Sequence, residues 1–124
     1  MTDRRLEPRL LCADLVEVQW SDEAGRPREL LANLEDISLT GACLQLDRPV
    51  PPDTVVRLNH PKIEVEGRVR YCVFRDTGYF LGVQFTPGFK WSRRQFRPKH
   101  LFDPRSLIEL NDKRALKRAG GGGQ

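Results

Sequence analysis

The sequence predicts a closed antiparallel β-barrel of six strands followed by a C-terminal helix. Three observations carry that reading. Apolar and polar residues alternate with a period of two through several short segments, as in half-buried strands. Turn chemistry rich in Gly, Pro, Asn and Asp separates those segments. Six such segments fit into about 75 residues, the density of a barrel or a sandwich. Closure into a barrel has the advantage of removing exposed strand edges.

Taken in order, residues 1–10 are charged, contain Pro8 and read as a flexible, arginine-rich arm. From Cys12 to Trp20, Val16, Val18 and Trp20 alternate with Glu17 and Gln19, giving the first strand. "SDEAGRP" is hairpin chemistry. Leu30, Ala32 and Leu34 alternate up to "DISLTG", and Ala42, Leu44 and Leu46 resume on one face after it. "DRPVPPD" breaks the chain, because proline supplies no ladder donor. Thr54–Leu58 is a short strand, and "NHPK" is a further break. Ile63, Val65, Val69, Tyr71 and Val73 then share one face against Glu64, Glu66, Arg68 and Arg70, with Gly67 a candidate bulge. "RDTG" turns into the last strand, Tyr79, Leu81, Val83 and Phe85, with Gly82 on its opposite face leaving room on the barrel surface.

Residues 11–86 therefore make the barrel. The segment 87–119 changes character. "GFKWSRRQFRPKHLF" is basic and aromatic, and it reads as packing across a barrel end with its charges in water. Asp103-Pro104 is an N-cap followed by proline at the first helical position, opening a helix from about Pro104 to Arg118. Residues 120–124, "GGGGQ", are a flexible tail.

The 124 residues suffice for one core, and 39% hydrophobic with 31% charged is the composition of a soluble domain. No apolar run reaches the length of a membrane span, and no signal peptide precedes the barrel. Cys12, Cys43 and Cys72 are odd in number and far apart, so they read as free thiols in the cytoplasm, not as a disulfide framework or a zinc site. His60 and His100 lie beside breaks without metal-ligand spacing and read as surface or loop residues. No nucleophile, base and acid can be assembled, and Ser38 has no histidine partner in sequence. The reading is therefore of a protein that is not an enzyme and has no metal and no cofactor. The net charge of +4 allows an anionic partner without identifying one.

Two short motifs carry chemistry. "RLEPR" sets Arg5 and Arg9 four apart on an arm that Pro8 biases away from helix, and guanidinium groups there can fork onto phosphates or stack on flat rings. "DISLTG" supplies a carboxylate at Asp36, a hydroxyl at Ser38 and a glycine at Gly41. A carboxylate accepts from paired N–H donors such as the N1–H and N2–H edge of guanine. Phosphate contacts give attraction while an edge contact gives base identity. The parts add up to a pocket for a guanine nucleotide. Taken singly, the first motif reads better as a solvated basic arm and the second as a turn capped by its own side chains.

Together and in order, about 27 residues apart, with "GACLQL" and "YFLGVQF" beside them, the motifs resemble the PilZ domain family over roughly residues 4–86. The resemblance implies a six-stranded barrel that is a receptor for the bacterial second messenger cyclic di-GMP. It implies that Arg5 and Arg9 clasp phosphates and bases, Asp36 holds a guanine edge, Ser38 adds a hydrogen bond and Gly41 sets the turn. Arg4 extends the motif, offering a third guanidinium to a second, intercalated ligand. On this reading the ligand draws the arm onto the barrel and alters the surface met by a downstream protein partner. The competing readings are a nucleic-acid-binding β-barrel that uses the basic stretches, and a ligand-free interaction module of the same fold.

Overall fold

The computed structural model describes residues 7–106. Six strands run β1 (Leu10–Ser21), β2 (Pro27–Ile37), β3 (Gly41–Leu46), β4 (Val55–His60), β5 (Ile63–Arg75) and β6 (Gly78–Phe85). All neighbours are antiparallel, and the sheet closes in the order β1-β2-β3-β6-β5-β4, with β4 pairing back onto β1. The β1–β2 hairpin is built by Asp22, whose carboxylate accepts from the Ala24 and Arg26 amides at 3.0 and 2.9 Å. Gly25 supplies the left-handed φ of 77° that this turn requires. The predicted alternation is what fills the interior: Val16, Val18, Ala32, Leu34, Leu44, Leu46, Val56, Leu58, Val65, Val69, Leu81 and Val83 are all buried.

The two ends are closed by different means. At the end reached by the β1–β2, β3–β4 and β5–β6 connections, the proline-rich β3–β4 loop buries Val50 completely. At the other end the chain leaving β6 folds back, and Trp91 and Phe96 enter the core. The Trp91 indole N–H donates to the Phe96 carbonyl at 2.8 Å, and the Trp91 amide donates to Leu39 O at 2.8 Å. The segment then runs beside the start of β1, where Leu11 and Phe102 exchange two backbone hydrogen bonds of 2.7 Å. Asp103 caps a helical turn at Pro104–Ser106 through the Arg105 amide, 2.9 Å away. The remainder of the expected helix, 107–118, lies outside the described residues.

His60 differs from expectation. It is not a surface histidine but lies mostly buried, its Nε2 3.4 Å from Asp14 Oδ2 and its ring 4.5 Å from that of Phe96. Asp14 also accepts the Lys99 amide at 3.0 Å. The acid on the inner face of β1 thus fastens the returning segment from below.

Two irregularities change the phase of the alternation. Between β2 and β3, Leu34 faces Leu44 but Asp36 faces Cys43, so Glu35 is an extra residue. Between β5 and β6, Val69 faces Val83 but Tyr71 faces Gly82, so Arg70 is an extra residue. The bulge in β5 therefore lies at Arg70 and not at Gly67, whose pairing with Val56 and Phe85 is regular. Beyond it Tyr71 and Val73 turn outward, 40% and 39% exposed, instead of sharing the inner face of Val69. Cys72 takes the inward position and packs against the core.

A candidate ligand site on the outer face of the barrel

The strand pairings line up one row of residues across the outside of the sheet. Leu11 faces Asp36, Asp36 faces Cys43, Cys43 faces Gly82 and Gly82 faces Tyr71. Straight alternation from Ala32 and Leu34 would have sent Asp36 into the core. The extra residue Glu35 lets Ile37 point inward instead, 4% exposed, and releases Asp36 to the surface. The Arg70 bulge does the same for Tyr71. Each bulge re-aims one side chain onto the same row, a recurrent use of bulges beside functional sites.

Small residues make the floor of this row. A Cβ on Gly82 would lie 2.0 Å from the Tyr71 ring, which occupies the space above the glycine that the sequence left open. The Tyr71 hydroxyl reaches to 3.9 Å from Cys43 Sγ. Gly41 is required for a neighbouring reason: a Cβ there would stand 2.6 Å from the Val83 carbonyl oxygen. Close approach of β3 to β6, not a left-handed turn, is what excludes a side chain at Gly41.

The Asp36 side chain is 18% exposed and its Oδ1 has no hydrogen-bond partner. The nearest cation, Arg9 Nη1, stands 3.7 Å away, too far for a hydrogen bond, on a side chain 62% exposed. Burial raises the Asp36 pKa, and the Arg9 charge and the Cys43 amide only partly offset it. A buried carboxylate oxygen without a donor is costly, and it is an unsatisfied acceptor. Burial and the Asp36 charge also raise the Cys43 thiol, so Cys43 is a neutral wall of the site. Burial and Cys43 push the Tyr71 phenol up, and the nearby Arg9 charge only partly offsets this.

The turn beside the row is held from within and from the arm. Ser38 N–H donates to Gly41 O at 2.8 Å, and the buried Ser38 hydroxyl donates to the same oxygen at 3.2 Å. Glu7 reaches across from the arm to Thr40. Of the residues singled out in the sequence, Arg9, Asp36, Ser38 and Gly41 come together here. Arg4 and Arg5 lie outside the described residues. Tyr71, Cys43 and Glu7 were not singled out. Tyr71 continues the period of Val69 in sequence, and only the bulge moves it. Glu7 looks like one more solvated charge, although its place two residues before Arg9 was a usable signal.

A six-stranded barrel with an arginine set beside a D-x-S-x-x-G turn defines a class of small β-barrel domains. The PilZ domain model matches residues 3–97, and the chain belongs to that family. The solved PilZ domain of YcgR from Escherichia coli, with c-di-GMP, is 16% identical, with a TM-score of 0.56 over 95% of this chain and 98% of that one. The K. pneumonia MrkH–c-di-GMP complex is 19% identical with a TM-score of 0.54. That match covers 94% of this chain but 57% of MrkH, so the chain spans little more than half of that protein. Whole YcgR in complex with c-di-GMP, also from E. coli, gives 15% identity and a TM-score of 0.53, over 97% of this chain and 51% of YcgR. These likenesses are ones of fold. The curated proteins contain no significant match. No helix among the described residues is long and apolar enough to cross a membrane.

Proposed function

We propose that this chain is a cyclic di-GMP receptor that carries out no reaction and signals through a change in its own surface. The observation that carries the reading is the unpartnered acceptor at Asp36 Oδ1, buried beneath the movable, exposed side chain of Arg9. Guanine brings two parallel N–H donors on one edge and satisfies both carboxylate oxygens, which adenine cannot do. Arg9, exposed and only loosely paired, is free to turn its fork to a ligand phosphate. Arg5 joins it there, and Arg4 offers a further plane for a second ligand. Ser38 supports the turn that holds Asp36, and Gly41 keeps β3 close to β6. Membership of the PilZ family, and the c-di-GMP in the complexes of YcgR and MrkH, support the choice of ligand.

In this reading the ligand neutralises the arginines and fixes the arm ahead of Glu7 on the barrel. That reordering presents a new surface to a downstream protein partner. The free thiols suit a reducing compartment, the cytoplasm. Calorimetric titration with cyclic di-GMP, single-stranded DNA and RNA tests the reading. Saturable binding of cyclic di-GMP alone supports it. Binding of the nucleic acids without cyclic di-GMP would replace it with the nucleic-acid reading, and no binding at all with the interaction module.

A further inference from the structure

We infer that Glu7 is a positioning residue, a clip that docks the arm on the DISLTG turn before ligand arrives and so holds Arg9 ready beside Asp36. The inference rests on the receptor reading of the site and deepens it. Glu7 Oε1 accepts from the Thr40 amide and lies 2.9 Å from both the Thr40 amide nitrogen and its hydroxyl; Oε2 lies 3.0 Å from that hydroxyl. Burial alone would raise the Glu7 pKa, but the neighbouring Ser38 hydroxyl, the Thr40 hydrogen bonds and the Arg9 charge outweigh it and bring it below the usual value. Charge-assisted bonds of this kind are about twice as strong as neutral ones.

The position of the clip gives it a purpose. Glu7 is two residues before Arg9, so anchoring it fixes the stretch of chain that aims the guanidinium. The clip engages Thr40, whereas Arg9 faces Asp36, and Asp36 Oδ1 stays unpartnered. The carboxylate therefore occupies the turn without occupying the acceptor that reads the base. Residues already ordered in the free protein do not have to be ordered by the ligand, and affinity rises accordingly.

The test compares wild type, Glu7→Ala, Glu7→Gln, Thr40→Val and the double variant Glu7→Ala/Thr40→Val. Cyclic di-GMP titration is run beside amide exchange of the ligand-free chains. Glu7→Ala and Thr40→Val should each bind about tenfold more weakly, and Glu7→Gln should fall between. The double variant should be no weaker than either single one, because both remove the same contact. In the free Glu7→Ala chain, amides of residues 7–10 and of Thr40 should exchange faster than in wild type. Unchanged affinity would overturn the inference. Tighter binding by Glu7→Ala would also overturn it, and would make Glu7 a competitor of the ligand phosphates. If wild type took no cyclic di-GMP, the receptor reading would fail, and the clip would then stand or fall on the exchange rates alone.

Discussion

At Asp36 the structure holds a carboxylate in a half-dry place with one oxygen unserved. Its pKa is raised on folding, chiefly by burial. A carboxyl whose folded pKa exceeds its unfolded one contributes stability that is fully present below the unfolded pKa and is lost as pH rises through the folded pKa. At neutral pH the ligand-free chain therefore carries a penalty at this residue. Asp36→Asn should remove it: the melting temperature at pH 7 should rise by a few degrees, and part of its pH dependence should disappear. The same variant should lose more than tenfold in cyclic di-GMP affinity, since Asn cannot accept two donors on one edge. Thermal unfolding of the free protein and titration of the ligand, on one preparation, read both effects. A less stable Asp36→Asn chain would mean that Arg9 and the Cys43 amide already compensate the charge. Ligand binding needs the ionised form, so affinity should fall as pH drops through the raised Asp36 pKa. Arg9→Ala should cost at least tenfold in affinity with little change in stability, because a pair with an exposed side chain contributes little to the fold.

At the scale of the element, β3, β6 and β5 come together over two glycines with different neighbours. Gly41→Ala drives a methyl group into the Val83 carbonyl, which is backbone and cannot step aside. It should destabilise the barrel by ~1–3 kcal/mol, measurable by denaturant unfolding. Gly82→Ala first meets the Tyr71 ring, and that residue is 40% exposed and free to swing outward. It should leave stability within ~1 kcal/mol of wild type while altering ligand affinity, a separation that Gly41→Ala will not show. These elements also mark where the sequence was legible. The alternation at Leu30, Ala32 and Leu34, and at Ala42, Leu44 and Leu46, was legible because burial writes its period directly into residue type. The bulges were not, because an extra residue such as Glu35 or Arg70 has no side-chain signature of its own. Hence Asp36 was found through its motif and not its face, and Tyr71 was assigned to the wrong face. Asp14 and His60 escaped for another reason: each finds its partner on a different strand, and nothing local announces the pair.

On the scale of the whole molecule, the returning segment is part of the core. Trp91 is 6% exposed and Phe96 3%, and both seal the barrel end that carries the DISLTG turn. Trp91→Ala should cost ~3–5 kcal/mol, read as a fall in the denaturant midpoint, from the cavity and the lost bond to Phe96. The arm, the turn and this segment meet at the same end, with Glu7 on Thr40, Trp91 on Leu39 and Phe102 on Leu11. In the proposed reading, a ligand that grips the arm acts on all three. The account rests on the unpartnered Asp36 carboxylate beside Arg9 selecting guanine, and the most direct measurement is a calorimetric titration of wild type with cyclic di-GMP and with cyclic di-AMP at pH 7. The account predicts saturable binding of cyclic di-GMP and cyclic di-AMP weaker by at least tenfold, with that preference abolished in Asp36→Ala. Equal affinity for the two dinucleotides, or a guanine preference that survives in Asp36→Ala, would contradict it.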